Sequence, residues 1–171
     1  MTKLTPNPPQ RDLYEIVLIT DKKHMRRGVA FLISTDRRVT ANDAFVKFRR
    51  PIELLFRSRF DAWRDNINNP RWYHGWDKSE FGGQYTECFV FKCKDKKLQR
   101  RLYGFLCNPK IANRGYQACV LVCHAFKKEH ETPLSDLQDT EAMRTTLEVQ
   151  RAIREYFTEI EDGNTLDRKK H

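Results

Sequence analysis

With 171 residues, 39% hydrophobic and 32% charged, the chain has the makeup of a globular protein with one well-filled core; neither a disordered nor a membrane-embedded polypeptide fits. Its 32 Lys and Arg against 23 Asp and Glu give a formal charge of +9, which favours an anionic partner without choosing among RNA, DNA and acidic protein. No apolar run approaches the roughly 20 residues of a membrane span, and MTKLTPNPPQR lacks the apolar stretch of a signal peptide, so a cytoplasmic protein without membrane contact is expected.

Residues 1–12, with Pro6, Pro8 and Pro9, read as a loose tail, followed by one domain over 13–162 and a polar tail over 163–171. LYEIVLIT and GVAFLIS flank a charged loop and read as a strand pair. From Thr40 the apolar residues Phe45, Phe48, Ile52, Phe56, Phe60 and Trp63 recur every three or four positions. That is the period of an amphipathic helix, which Pro51 must kink or split. Arg49, Arg50, Arg57 and Arg64 fall on its polar side. INNPRWYHGWDKSEFGGQ is aromatic, aperiodic and rich in turn residues, so it reads as a connecting loop.

QYTECFVFK, LQRRLYGFLC and YQACVLVCHAF follow as three strands with short links. They predict an antiparallel meander whose last strand, apolar on both alternating faces, lies centrally. Thr132 and Pro133 read as the cap and first position of a final helix, with acidic residues in its first turns and Gly163 as its stop. The fold class is therefore α+β: a small antiparallel sheet with helices packed on it, plus an additional N-terminal strand region over 13–40.

The five cysteines lie inside apolar segments and are odd in number, which suits reduced core thiols better than disulfides. Cys119, Cys123 and His124 lack zinc-knuckle spacing, and neighbours on a strand point to opposite faces, so neither a metal nor another cofactor is expected. Charge is densest in KCKDKKLQRR, residues 92–101, with six bases and one acid. Within it, Lys94, Lys96, Lys97 and Arg100 are candidate phosphate contacts. If the strand begins at Leu98, Arg101, Tyr103 and Phe105 share one face and Arg100, Leu102 and Gly104 the other. Arg101 and Tyr103 are then spaced to hold a phosphate and stack a base. The structural alternative makes Tyr103 a core residue and the lysines solubilisers of a hairpin tip.

HAFKKEHETP supplies a second basic cluster, Lys127, Lys128, His130 and His124, at the end of the central strand. A meander brings that end beside Arg100 and Arg101, making one basic cleft from two segments. RNA carries its own nucleophile in the 2′-hydroxyl, so cleavage without metal needs a base, an acid and cations around the phosphate. Histidine can move the proton, and lysine and arginine can stabilise the charge.

RRLYGFLC followed by YQACVLVCHAFKKEHETPLSDLQDTEAMR resembles the RelE/HigB superfamily of toxins from bacterial toxin-antitoxin pairs, especially its phage-associated HigB-like branch. Arg101, Phe126, Lys127, Lys128, Thr132 and Pro133 carry the likeness, which spans 54–155 with its specific part in 100–134. Where members often carry Glu-Leu-Arg, Glu87 is followed by Cys88 and Phe89. The resemblance implies a metal-independent endoribonuclease acting on mRNA at the ribosome and blocked by a cognate antitoxin protein. Arg101, Lys127, Lys128 and His130 would form its catalytic site, with Tyr103 on a base. Two alternatives stand beside it: a non-nucleolytic, ParE-like protein aimed at a protein target, and a basic nucleic-acid-binding module without catalysis.

Overall fold

The computed structural model describes residues 13–20, 26–111 and 114–169, so the expected tail over 1–12 and most of the loop after Thr20 lie outside the described residues. Eight strands and four α-helices follow in chain order. β1 (Tyr14–Leu18) and β2 (Arg27–Ser34) form the expected hairpin. α1 (Ala41–Phe45) and α2 (Arg50–Arg64) come next, with Pro51 in the first turn of α2, where the missing N–H leaves no helical bond unmade. Pro51 thus splits the predicted helix rather than kinking it.

β3 (Tyr73–Gly75) is a three-residue strand inside the stretch expected to be loop, and β4 (Cys88–Asp95) and β5 (Leu98–Cys107) form a hairpin turning at Lys96 and Lys97. Lys96 takes the left-handed φ of 58° that the tight turn demands. A two-stranded ribbon, β6 (Lys110–Ile111) with β7 (Arg114–Gly115), precedes β8 (Gln117–Lys127).

The final helix is two helices, α3 (Leu134–Arg144) and α4 (Leu147–Lys169), broken at Thr145 and Thr146. Pro133, not Thr132, occupies the N-cap position of α3, and no side chain caps it. α4 continues through Gly163, so that glycine does not stop it.

The large sheet has the order β1-β2-β8-β5-β4-β3, and it is mixed rather than antiparallel: β2 runs parallel to β8, while every other pair is antiparallel. The reason is the long excursion through α1, α2 and β3 to β5 between the two strands, which lets β8 slot beside β2 in the same direction. The N-terminal pair is therefore continuous with the sheet that carries β4, β5 and β8.

Helices cover both faces. Phe45, Phe56, Phe60 and Trp63 of α1 and α2 pack on Phe31, Phe91, Leu102 and Leu121. Leu137, Met143, Ile153 and Phe157 of α3 and α4 pack on Leu32, Val90, Tyr103 and Val120. No described helix is long and apolar enough to cross a membrane.

β8 carries one extra residue. Tyr103 pairs with Cys123 but Gly104 pairs with Leu121, leaving Val122 without an opposite number on β5. The Val122 carbonyl accepts from the Thr40 backbone N–H at 2.9 Å, and the His124 N–H donates to Thr40 Oγ1 at 2.9 Å. A Cβ on Gly104 would collide with the Val120 carbonyl oxygen and stand 2.9 Å from its carbon, so the close approach at the bulge requires glycine. Gly104→Ala is expected to cost about 1–3 kcal/mol, read as a lowered midpoint in denaturant unfolding.

Candidate functional site

Along β4, β5 and β8 the face under α3 and α4 changes from apolar to cationic. On β4 the buried Cys88 and Val90 give way to Lys92 and Lys94; on β5 Phe105 and Tyr103 give way to Arg101 and Gln99. On β8, Val120 and Val122 lead through the bulge to Cys123, Ala125 and Lys127. Register aligns these side chains in two rows, Lys92–Arg101–Ala125 and Lys94–Gln99–Lys127.

Like charges directly opposite on neighbouring strands are destabilising. Lys92 shows the strain: burial and then Arg101 pull its ammonium below the ordinary lysine range, while Glu129 opposes them. Lys94 is exposed, and so are the turn lysines Lys96 and Lys97 beside it.

Arg101 sits in this plate but faces inward. The residue is only 5% exposed and all five of its guanidinium N–H groups are committed. Nε donates to Gln99 Oε1 at 3.1 Å; Nη1 donates to Tyr103 Oη and the Glu131 carbonyl, both at 3.2 Å; Nη2 donates to the carbonyls of Lys128 at 2.9 Å and Glu129 at 2.7 Å. It therefore folds the turn 128–131 around itself, and it has no donor left for a phosphate. Arg101, expected to bind a scissile phosphate, instead spends its donors inside the protein.

Tyr103 is 1% exposed, and its ring stacks on Trp76 at 6.1 Å. Burial pushes its hydroxyl up to about 12. Expected to stack on a base, Tyr103 instead has its ring in the core, as the structural alternative has it.

Arg100 points to the opposite face. Its guanidinium lies 5.0 Å from the Phe48 ring centroid and 3.9 Å from that of Phe126, donates from Nε to Asp95 at 2.7 Å, and meets His124 Nε2 at 3.2 Å. Asp95, buried, also accepts from Arg49 at 2.6 Å, which ties the α1–α2 turn to the β4–β5 hairpin. Arg100, expected as a phosphate contact, is thus held in an ion pair on the face opposite the lysines, with its side chain 23% exposed.

Burial, then the Arg100 charge, pulls the His124 imidazole down to about 4. Lys127 donates to Asp136 at 2.6 Å at the start of α3. Lys128 and His130 stand exposed in the turn that Arg101 shapes. The two expected basic segments do converge on one rim of the sheet, where Lys94, Lys96, Lys97, Lys128 and His130 are exposed and Lys92, Arg100 and Lys127 half-buried.

Two neighbours were not anticipated. Lys92 belongs to the same basic run and shares a face with Lys94, a parity readable from the sequence once β4 is placed. His74 lies on β3, opposite Val90 and on its face of the sheet; a three-residue strand leaves no periodicity to find it by. His74 Nδ1 bonds the Gly75 carbonyl at 2.9 Å, and its ring meets Trp76 edge-on at 5.0 Å. Burial lowers its pKa, as do Lys92 and Arg101, against the Gly75 bond and Glu80.

Among the described residues, no group of three or more His, Cys, Asp or Glu is arranged to hold a metal ion. Four cysteines are buried and Cys107 half-buried; all five are free thiols, and burial pushes Cys88, Cys107 and Cys123 up to about 12. No family model matches this chain, and neither do any curated proteins or solved structures.

Replacing Arg101 by Ala is expected to cost roughly 1.5–3 kcal/mol, the range for hydrogen bonds to a charged group, and to speed amide exchange selectively over 128–131. His124 supplies a pH test. Its folded pKa of about 4 lies below the ordinary histidine value, so the unfolded chain binds the extra proton between those limits. Stability should rise with pH from about 4 to about 6.5 and then level off. His124→Gln should remove that increment in paired unfolding curves.

Proposed function

We propose that the chain binds RNA through the cationic end of its sheet, with Lys92, Lys94 and Lys128 on the phosphates. The observation that carries this reading is the placement of Lys92 opposite Arg101 on the adjacent strand, with Lys94 in the next row. A like-charged pair costs stability in the free protein, and an anion laid across the strands removes that cost. Of the acids nearby, Asp95 is engaged by Arg49 and Arg100 and Asp136 by Lys127, while Glu129 stands exposed in the turn and offsets part of the charge on Lys92. RNA rather than DNA follows from the RelE/HigB resemblance. An acidic protein laid on the same rim would compete with it, as an antitoxin would.

RNA cleavage is a second reading, and His74 favours it. With the Nδ1 proton given to the Gly75 carbonyl, Nε2 keeps its lone pair, and Lys92 is two residues along the neighbouring strand on the same face. A base beside a cation is the pairing that attack by a 2′-hydroxyl requires. On this reading His74 replaces His130 as the group that moves the proton, and the toxin assignment with its ribosome-bound mRNA rests on the resemblance.

One titration separates the readings. RNA binding followed across salt concentrations should weaken linearly on logarithmic axes, and each of Lys92→Gln, Lys94→Gln and Lys128→Gln should reduce the slope by about 0.7. An unchanged affinity in the triple variant rejects the plate as the binding surface. End-labelled RNA incubated with wild-type protein and chelator should be cut if His74 is a base, and left whole by His74→Ala. Intact RNA under wild-type protein leaves the binding reading alone.

A further inference from the structure

Phe126 is the most exposed of the described Phe, Tyr and Trp residues, at 41%, and it stands on the basic rim, next to Lys127 and two residues before Lys128. One side of its ring is covered by the Arg100 guanidinium, 3.9 Å from the centroid. Arg100 is itself pinned by Asp95 and His124, so the ring is held rather than mobile. A fixed aromatic ring in solvent, flanked by lysines and backed by a cation, has the makeup of a base-stacking platform.

Phe126 and the plate lie on opposite faces. Arg101 and Lys127 point toward α3, while Arg100, His124 and Phe126 point toward α1 and α2. β8 ends at Lys127, so the two surfaces meet over the edge where the strand stops. A nucleic acid that touches both must turn through the edge within a few nucleotides. Duplex, with a persistence length of about 150 base pairs, cannot do this cheaply, whereas a single strand can.

We infer that the ligand is a single strand that crosses the rim at Lys127 and Lys128, phosphates on the lysine plate and one unpaired base stacked on Phe126. This rests on the RNA-binding reading and narrows it to unpaired RNA.

The test compares a short single-stranded RNA with a duplex of equal phosphate number, by fluorescence anisotropy, for wild type and for Phe126→Ala, Phe126→Leu and Phe126→Trp. Phe126→Ala should weaken single-strand binding by about 5- to 150-fold, leave duplex binding unchanged and keep the salt slope. Phe126→Leu, which retains the apolar packing, should show the same loss, and Phe126→Trp should bind at least as tightly as wild type. Equal affinity of wild type for both ligands, or single-strand binding untouched by Phe126→Leu, overturns the inference while the lysine variants still report on the plate. Binding lost by the lysine variants alone keeps the RNA reading and removes the stacked base; no binding of either RNA by wild type removes both.

Discussion

The extra residue at Val122 decides which side chains the end of β8 presents. Upstream of it Ala118, Val120 and Val122 face α3 and α4; beyond it Cys123, Ala125 and Lys127 do. In an unbroken strand the alternation would have sent Phe126 and Lys128 under α3 and put Lys127 against α2. The bulge reverses the parity, so Lys127 reaches Asp136 while Phe126 reaches Arg100. Glycine at position 104 permits the close approach, and Thr40 satisfies the backbone groups that the bulge turns away from β5. The rim inherits its layout from these few contacts.

The two adjacent arginines of β5 show how the protein tolerates charge at the edge of its core. Arg101 is buried without a carboxylate partner and is neutralised by the dipoles of three turn carbonyls, a tyrosine hydroxyl and a glutamine. Arg100 instead has Asp95 and two aromatic faces. A buried charge is costly unless its hydrogen bonds are all made; Arg101 meets that condition, and Arg100, less deeply buried, has its carboxylate partner instead. Their work is to hold loops: the turn 128–131 in one case, the α1–α2 turn through Asp95 and Arg49 in the other. Loops fixed in this way can present lysines in a set arrangement rather than as a diffuse cloud of charge.

The lysines themselves obey a different rule. Lys92 and Arg101 face each other across β4 and β5, against the usual preference for opposite charges, and Lys94 continues the row structure outward. Part of that repulsion is offset within the protein, by Glu129 on the Lys92 side and by the acceptors around Arg101 on the other. His74 at the outer strand shares this environment, with its imidazole held toward the neutral form by burial and by the neighbouring cations.

Strand positions and face alternation on β5 were readable in the amino-acid order, because periods of two and of three to four residues register burial directly. The sequence therefore determined the α+β character, the N-terminal hairpin, an interruption of the helix at Pro51, the β4–β5 hairpin and the meeting of its basic segment with the end of β8. It could not determine the direction of β2 beside β8, since both are uniformly apolar and run in a sheet closed by distant segments. Nor could it place the bulge, which arises from a backbone contact between Gly104 and Val120, or tell a solvent-facing arginine from one with five internal acceptors. Those depend on which carbonyls a turn brings within 3 Å, and only the tertiary structure sets that.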